Sequence, residues 1–171
     1  NILVQVIKDA IGTKGARLST QISIAGRMLV YLPHECHIGI SQRIEDNAER
    51  ESLREKLQHV LPPEDKGGYI IRTMAEAASE SDLRADIEYL HKLWHDIQNK
   101  SLSASPPALL YQDLDLSHRV LRDFVDETIT GIVVDSRETH QKLTAFAQNY
   151  MSNVTDKIDH YTGERPLFDL Y

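Results

Sequence analysis

GGYIIRT, residues 67–73, contains the most clearly predicted strand of the sequence. Its two glycines indicate a turn, and the β-forming run YII is typical of a short buried strand. The strand ends in Arg72 and Thr73, a guanidinium beside a hydroxyl. Arginine fits phosphate oxygens in pairs and threonine adds a short donor, so this pair could hold an anion. The alternative is structural: Arg72 extends its charge to solvent or pairs with a carboxylate, and Thr73 only ends the strand.

Amphipathic helices are predicted on both sides of this strand. Asp46 or Asn47 can cap a helix at about residues 48–60. Ser79 or Ser81 can cap a longer helix that reaches about residue 99, because its apolar residues recur at steps of three and four. This order of elements favours an α+β or α/β architecture.

The residues before the first helix are predicted to be mostly strands. Apolar alternation predicts strands at residues 2–8, 17–24 and 27–32, with a basic turn between the first two. Two strands around a basic turn are typical of the edge of a small β-barrel. Pro33 ends the third strand, and residues 34–41 are predicted as a loop and its continuation.

The last third of the chain has a different pattern. A Ser- and Pro-rich segment at residues 100–107 is predicted to be irregular, and a domain boundary is predicted near residues 112–117. The elements expected after it are a helix at 116–129, a strand at 131–136, a helix at 137–150 and a shorter helix at 156–161. The side chains expected to face inward from the first of these helices are Leu116, Val120, Leu121 and Phe124. Helix, strand, helix is typical of part of an α/β layer, so the residues alone leave α+β and α/β open for the whole chain.

The composition is ordinary for a soluble globular protein, and it limits the chemistry. The chain has 171 residues, a formal net charge of −7 and a single cysteine, Cys36. One cysteine excludes an internal disulfide and any zinc site made of several cysteines. The acidic total argues against nucleic-acid binding, although residues 1–30 hold four basic residues against a single acid. No apolar run approaches the ~20 residues that a membrane-spanning helix needs.

Two further groups of polar residues could carry chemistry. His34, Cys36 and His37 share a loop and could ligate a metal, but no second ligand pair follows at zinc-finger spacing. The alternative is an exposed loop with a buried cysteine. The second group is a set of four carboxylates, Asp113, Asp115, Asp123 and Asp126. Paired carboxylates can hold Mg²⁺ for phosphoryl chemistry, but their mixture with arginines is more simply a solvated, salt-bridged face.

Several stretches follow one another in order along nearly the whole chain: LVQVIKDAIGTKGARLST (3–20), ISIAGRMLVYLP (22–33), GISQRIE (39–45), GGYIIRTMAE (67–76), RVLRDF (119–124), IVVDS (132–136) and KIDHYTGERPLFDLY (157–171). Together they resemble the ribonuclease E/G family of bacterial endoribonucleases. Each stretch is a weak signal alone, whereas their joint order is specific. The amino-acid sequence of these stretches is more similar to the ribonuclease G branch of that family than to the ribonuclease E branch.

The resemblance implies a modular α+β fold. Residues 1–20 correspond to the last strands of an OB-fold RNA-binding domain. Residues 21–116 correspond to a 5′-sensor domain, and residues 117–171 to a segment of an RNase H-like subdomain that is structural in the family.

The resemblance also implies that the active site lies elsewhere. The family's catalytic aspartates, which act with Mg²⁺, and the cysteines that share a zinc ion between chains match segments beyond Tyr171. Asp113, Asp115 and Asp135 are therefore not expected to inherit catalytic roles. The chain also begins and ends in apolar sequence, so we expect an excised piece of a longer protein. The single cysteine fits a reducing cytoplasm, and the resemblance implies a homo-oligomer for the full-length protein.

The residues that do carry over are those of a sensor for the 5′ monophosphate of single-stranded RNA. The family's phosphate-binding Arg-Thr pair matches Arg72 and Thr73. The backbone amide that also contacts the phosphate matches Gly26, and the apolar contact to the terminal base matches Val30.

Two further matches are less direct. Some family members support the phosphate pocket with an arginine whose position here is Gln42, so the neighbouring Arg43 is the candidate replacement. Lys14 matches a lysine on the OB-fold surface that contacts RNA near the cleavage site.

The implied function is the 5′-monophosphate-sensing and structural portion of an endoribonuclease of rRNA and tRNA processing and mRNA decay. By itself this portion is expected to be inactive. A stand-alone, non-catalytic RNA-binding module and a structural fragment without a ligand are the alternatives.

Overall fold

The computed structural model describes residues 2–126 and 128–170 and confirms a mixed α and β fold. The elements, in chain order, are β1 (Gln5–Lys8), β2 (Arg17–Ser19), β3 (Ile24–Ala25), β4 (Leu29–Leu32), β5 (Ile38–Ile40), α1 (Asn47–Val60), β6 (Gly68–Ile71), α2 (Glu80–Ser103), α3 (Leu116–Phe124), β7 (Ile132–Val134), α4 (Arg137–Tyr150) and β8 (Ile158–His160). Short 3₁₀ turns lie at Thr73–Ala75, Ser152–Lys157 and Leu167–Asp169. The chain divides between Tyr111 and Gln112 into two compact units, called unit 1 and unit 2 here.

Unit 1 is built on a four-stranded sheet in the order β3-β4-β6-β5. The GGYIIRT strand, β6, lies inside this sheet, antiparallel to β4 and parallel to β5. The sequence predicts a loop at residues 34–37 and no strand at 38–41, so β5 is an addition that the structure makes. Its three residues pair with β6, a partner that follows in sequence only after α1, so local pattern gave no sign of it.

One face of this sheet forms the core of unit 1. Leu29, Tyr69 and Ile71 are at most 1% exposed. Helices α1 and α2 pack against each other and against the strands, and their Leu57 and Leu90 are fully buried. Burying one such apolar side chain contributes roughly 1.5–3 kcal/mol, so this face carries much of the stability of unit 1.

Both predicted helix starts in unit 1 are confirmed by their caps. The Asp46 carboxylate accepts from the main-chain N of Ala48 at 2.7 Å. Ser79 and Asp82 form a reciprocal capping box at the start of α2. The predicted end of α2 at about residue 99 is too early, because the helix continues to Ser103 through half of the segment expected to be irregular.

The small hairpin β1-β2 is separate from the larger sheet. The single strand predicted at residues 17–24 is instead two strands, β2 and β3. The side chain of Gln5 accepts from Ser23 N at 2.8 Å and donates to Ser23 O at 2.9 Å. Because these bonds occupy the main chain of Ser23, the strand is interrupted at that residue.

Unit 2 contains the parallel pair β7-β8, whose strands are joined through α4. Its core consists of Leu121, Val125, Leu143, Ala147, Val154 and Ile158. The helix predicted at 156–161 is wrong: a 3₁₀ turn ends at Lys157, and residues 158–160 form β8. Their pairing with β7, some 26 residues earlier, overrides the local pattern.

Helix α3 ends at Phe124 rather than at residue 129, and Glu127, within the predicted range, lies outside the described residues. Of the four side chains predicted to face inward, only Leu121 is buried, at 1% exposure. Leu116, Val120 and Phe124 are 79%, 46% and 69% exposed. The core of unit 2 uses Leu121 and Val125, each one residue after the exposed Val120 and Phe124.

Among the described residues, none of the helices is both long enough and apolar enough to cross a membrane.

Candidate functional site

The arginine of GGYIIRT lies at the end of the central strand of unit 1. Its main-chain N donates to Met28 O at 2.8 Å, which extends the ladder between β6 and β4 by one bond. Val30 on β4 pairs directly with Ile70 on β6, so their side chains share one face of the sheet. Arg72 follows Ile70 by two residues and therefore leaves the strand on that face as well. Val30 and Arg72 thus lie on the face opposite the core residue Ile71.

The guanidinium of Arg72 turns toward Gly26. Its Nη1 donates to the carbonyl oxygen of Gly26 and, at 3.2 Å, to that of Arg27. Both carbonyls belong to the tight turn between β3 and β4, which is closed by a bond of 2.8 Å from Gly26 N to Leu29 O. Within residues 2–126 and 128–170, no carboxylate forms an ion pair with Arg72. The guanidinium charge therefore has no carboxylate counter-ion among these residues.

Thr73 begins the 3₁₀ turn that follows Arg72. Its carbonyl accepts from Glu76 N at 3.2 Å, while Ala75 N donates to Arg72 O at 3.0 Å. The Thr73 side chain is half-buried, and its hydroxyl forms no hydrogen bond with the described part of the chain. Arg72 and Thr73 thus present adjacent donors at the end of the strand.

Gly26 is buried against a carboxylate from α2. A Cβ added there would lie 2.6 Å from both carboxylate oxygens of Asp86, so a side chain at this residue would clash. The same carboxylate accepts from the main-chain N of Arg27, Met28 and Leu29 at 2.8–2.9 Å. Sequence reasoning missed Asp86. The available signal was an acidic residue inside the apolar stripe of α2, next to Ile87.

The turn that carries Arg43 lies beside the end of β6. Ser41 N donates to Ile71 O at 2.8 Å, and Arg43 N donates to Ser41 Oγ at 3.3 Å. The Arg43 side chain is exposed, and no bond joins it to Arg72 among the described residues. Arg50, which sequence reasoning also missed, fixes this turn by donating through Nη1 to Ser41 O and Ile44 O, both at 2.9 Å.

Lys14 lies at the tip of the β1-β2 hairpin. Its main chain exchanges bonds of 3.0 and 3.1 Å with Ile11. The side chain is exposed and forms no bond with Gly26, Val30 or Arg72. The structure therefore does not bring Lys14 into the group of residues at the end of β6.

A buried polar cluster secures the start of the same strand. Tyr69 donates its hydroxyl to Asp65 Oδ2 at 2.5 Å, and His91 Nε2 lies 2.8 Å from that hydroxyl. Burial, and then the bond to Asp65, raise the pKa of Tyr69 well above its ordinary value of 10.0. The phenol therefore stays protonated and remains a donor. Tyr31 packs on this cluster, with its ring centroid 5.2 Å from that of Tyr69.

Two other groups of polar residues were metal-site candidates from the sequence: the loop with His34, Cys36 and His37, and the four aspartates of residues 113–126. Cys36 is exposed, so the expectation of a buried cysteine is wrong. Asp113 pairs with Arg119 and Asp123 with Arg122, each at 2.7 Å. Across residues 2–126 and 128–170 there is no group of three or more His, Cys, Asp or Glu that could hold a metal ion.

Asp115 and Asp126 stabilise chain turns. Asp115 caps α3, and the bond from His118 N, followed by those from the His118 and Ser117 side chains, lowers the pKa of its carboxyl. Asp126 accepts from Thr128 N at 2.9 Å. These contacts account for the carboxylates as locally bonded groups. Asp113, Asp115 and Asp126 are exposed, whereas Asp123 is partly buried and pairs with the buried Arg122.

The sequence profile of the Ribonuclease E/G family matches residues 23–171. The chain belongs to the ribonuclease E/G family. The ribonuclease G of Escherichia coli strain K12 is 43% identical over 171 residues, which are 100% of this chain and 35% of that protein. The ribonuclease G of Haemophilus influenzae is 38% identical over 100% of this chain and 34% of its own. The ribonuclease E of Nostoc sp. is 36% identical over 99% of this chain and 25% of its own.

This ribonuclease E/G chain spans about a third of the length of the ribonuclease G relatives. Four of its candidate residues, Gly26, Val30, Arg72 and Thr73, lie at one end of the sheet of unit 1 and fall inside the matched range. Lys14 precedes that range.

Proposed function

We propose that this chain is the part of a bacterial, single-strand-specific endoribonuclease that senses a 5′ monophosphate on RNA. The whole protein would process rRNA and tRNA and degrade mRNA in the cytoplasm as a homo-oligomer. Membership of the ribonuclease E/G family supports an RNA substrate. The observation that carries the sensor proposal is the Arg72 guanidinium, bonded to the Gly26 carbonyl on the face that Val30 shares and without a carboxylate partner among the described residues.

The donors at the end of β6 suit one phosphate group. Arg72 would donate charge-assisted bonds to two phosphate oxygens, and Thr73 would donate a third from its hydroxyl. Gly26 N already donates to Leu29 O at 2.8 Å, so a phosphate oxygen would share that donor in a three-centre bond. Val30 would contact the terminal base through C–H groups alone, which makes the contact tolerant of base identity. Arg43, on the neighbouring turn, would support the phosphate from solvent.

This arrangement favours a monophosphate over the other two RNA ends. A hydroxyl end leaves Arg72 without its anion, and hydrogen bonds to charged groups contribute about 1.5–3 kcal/mol each. Losing one or two of them lowers affinity by roughly tens to hundreds of fold. A triphosphate is larger than a monophosphate and carries more negative charge. A site with so few donors cannot neutralise that charge.

The remaining segments would serve as structural parts of the enzyme. Residues 1–20 would be the last strands of an OB-fold, with Lys14 on its RNA-facing surface. Residues 21–116 would form the sensor domain, and residues 117–171 an RNase H-like segment. The antiparallel hairpin β1-β2 supports the first assignment, and the parallel pair β7-β8 joined through α4 supports the last.

Mg²⁺ and zinc belong, by the family resemblance, to segments other than this chain. The described residues fit neither ion, because they include no cluster of His, Cys, Asp or Glu that could hold one. Incubation of this chain with single-stranded RNA and Mg²⁺ should leave the RNA intact, and reproducible cutting would contradict the proposed division of labour.

The sensor proposal is tested with two RNA oligonucleotides of one sequence, labelled at the 3′ end and carrying either a 5′ monophosphate or a 5′ hydroxyl. Anisotropy should show tighter binding of the monophosphate by at least about tenfold, and Arg72→Ala should abolish that difference. Arg84→Ala, an exposed arginine on α2, is the matched control and should preserve it. Equal affinity of the unaltered chain for both ends would overturn the proposal.

A further inference from the structure

The Asp86 carboxylate is buried on the apolar face of α2. It is 7% exposed, and its neighbours on that stripe, Leu83, Ile87 and Leu90, are at most 2% exposed. A charge in such surroundings is tolerated only where fixed donors compensate it. Here the donors are three successive main-chain N–H groups, those of Arg27, Met28 and Leu29. The carboxylate therefore serves the turn between β3 and β4.

Two side chains hold that turn through different groups. Asp86 accepts from its amides, with Oδ1 bonded to Arg27 N and Oδ2 bonded to Met28 N and Leu29 N. Arg72 donates to its carbonyls, those of Gly26 and Arg27. The main chain of Arg27 is bonded to both side chains: its N–H donates to Asp86, and its carbonyl accepts from Arg72. The main chain of residues 26–29 therefore connects the amides that Asp86 holds to the carbonyls that Arg72 holds.

Gly26 completes the contact. A Cβ at this residue would lie 2.6 Å from the Asp86 oxygens, so the absence of a side chain lets the turn approach the carboxylate closely. The location of Asp86 consequently determines where the Gly26 carbonyl lies, and that carbonyl orients the Arg72 guanidinium. None of these contacts requires the carboxylate to reach RNA itself.

We infer that Asp86 is a positioning residue of the 5′-monophosphate site: by holding the amides of residues 27–29 it sets the Gly26 carbonyl against which Arg72 is aligned. The inference rests on the proposed function. Asparagine at residue 86 would replace one acceptor oxygen by an NH₂ group, which cannot accept from the N–H donors that face it. The turn would relax, and Arg72 would lose its alignment for paired bonds to phosphate.

A purely structural role for Asp86 makes a different prediction. If the residue only stabilises unit 1, its replacement should weaken the binding of both RNA ends through partial unfolding. If it positions Arg72, replacement should weaken binding of the monophosphate alone. The informative readout is therefore the ratio of the Kd values for the 5′-hydroxyl and 5′-monophosphate oligonucleotides.

The test compares Asp86→Asn with two variants of the same helix in the 171-residue chain. Glu88→Gln makes the same change of charge at an exposed residue, and Leu83→Ala truncates another buried residue of the same stripe without removing a carboxylate. At a temperature where circular dichroism shows all chains folded, Asp86→Asn should reduce the ratio by about tenfold. Its affinity for the 5′-hydroxyl RNA should stay within about twofold of that of the unaltered chain, and both controls should keep the full ratio.

A folded Asp86→Asn variant with the full ratio overturns the inference. Should that variant not fold, Gly26→Ala replaces it, because the added Cβ pushes the turn away from the same carboxylate; an undiminished ratio in Gly26→Ala is equally decisive against the inference. A ratio that responds to Arg72→Ala but not to either change removes the inference and leaves the proposed function standing. Equal affinity of the unaltered chain for both RNA ends removes both.

Discussion

Gly67 packs so closely against the ring of Tyr31 that its main chain leaves no room for a side chain. A Cβ added to Gly67 would lie 2.1 Å from Tyr31 Cε2. The main-chain N of Gly67 also donates to Asp65 Oδ1 at 2.8 Å, so the residue cannot easily move aside. The sequence indicated this glycine as part of a turn. The structure adds a packing reason that depends on the aromatic pair Tyr31 and Tyr69.

Gly67→Ala should lower the free energy of unfolding by about 1–3 kcal/mol, because the methyl group overpacks the Tyr31 ring. Gly15→Ala is the matched control: a Cβ at that residue meets nothing within 4 Å, so a change of less than about 0.5 kcal/mol is expected. Urea unfolding followed by circular dichroism measures both. Equal stabilities of the two variants would show that the ring shifts at no cost.

Single residues were predictable from sequence where their role is local. Arg72 and Thr73 were identified as a donor pair because they follow a strand directly. Asp86 was not identified from the sequence, because its partners are main-chain groups 57 to 59 residues earlier. The spacing of residues along one helix cannot reveal such partners. A buried acid in an apolar stripe was the one signal present.

Helices were predicted better than strands because helix ends carry their own signals. Asp46 and Ser79 begin α1 and α2 as their capping chemistry requires. Strands β5 and β8 were missed because each is three residues long and exists through a parallel partner remote in sequence. Pattern within a short window cannot supply that partner.

Helix α3 shows the limit of apolar periodicity. Leu116, Val120 and Phe124 recur at steps of four, and so do Leu121 and Val125 one residue further on. The core of unit 2 accepts the second stripe and leaves the first exposed. Both stripes satisfy the same rule, so the sequence alone could not choose between them.

Two leucines of α3 test that assignment. Leu121→Ala should destabilise unit 2 by about 2–5 kcal/mol, because the residue is 1% exposed and its truncation leaves a cavity. Leu116→Ala, the same change on the same helix at 79% exposure, should alter stability by less than about 0.5 kcal/mol. Thermal unfolding of both variants gives the comparison. A greater cost for Leu116→Ala would restore the original prediction of inward-facing residues.

The whole molecule carries a formal net charge of −7, which disfavours RNA at a distance. Binding through the proposed site would therefore depend on a few close contacts rather than on a broad basic surface. For single strands the logarithm of the binding constant falls with the logarithm of salt concentration by about 0.7 for each phosphate neutralised. A shallow slope is consequently expected for the 5′-monophosphate RNA.

Arg72→Ala should reduce that slope by about 0.7, since one neutralised phosphate is lost. Titrations of the monophosphate RNA at several salt concentrations measure the change. Arg84→Ala provides the comparison, because it removes one charge from an exposed site without altering the end of β6. The same reduction in both variants would indicate a general effect of net charge and would contradict a discrete phosphate contact.

Trp94, the one tryptophan of the chain, stands edge-on to His34 with ring centroids 5.8 Å apart. It shares α2 with Asp86, and His34 follows β4 by two residues. The emission of an indole ring depends on the polarity of its surroundings. Emission from this protein should therefore change when the loop after β4 separates from α2, which gives unit 1 an intrinsic optical signal that needs no added dye.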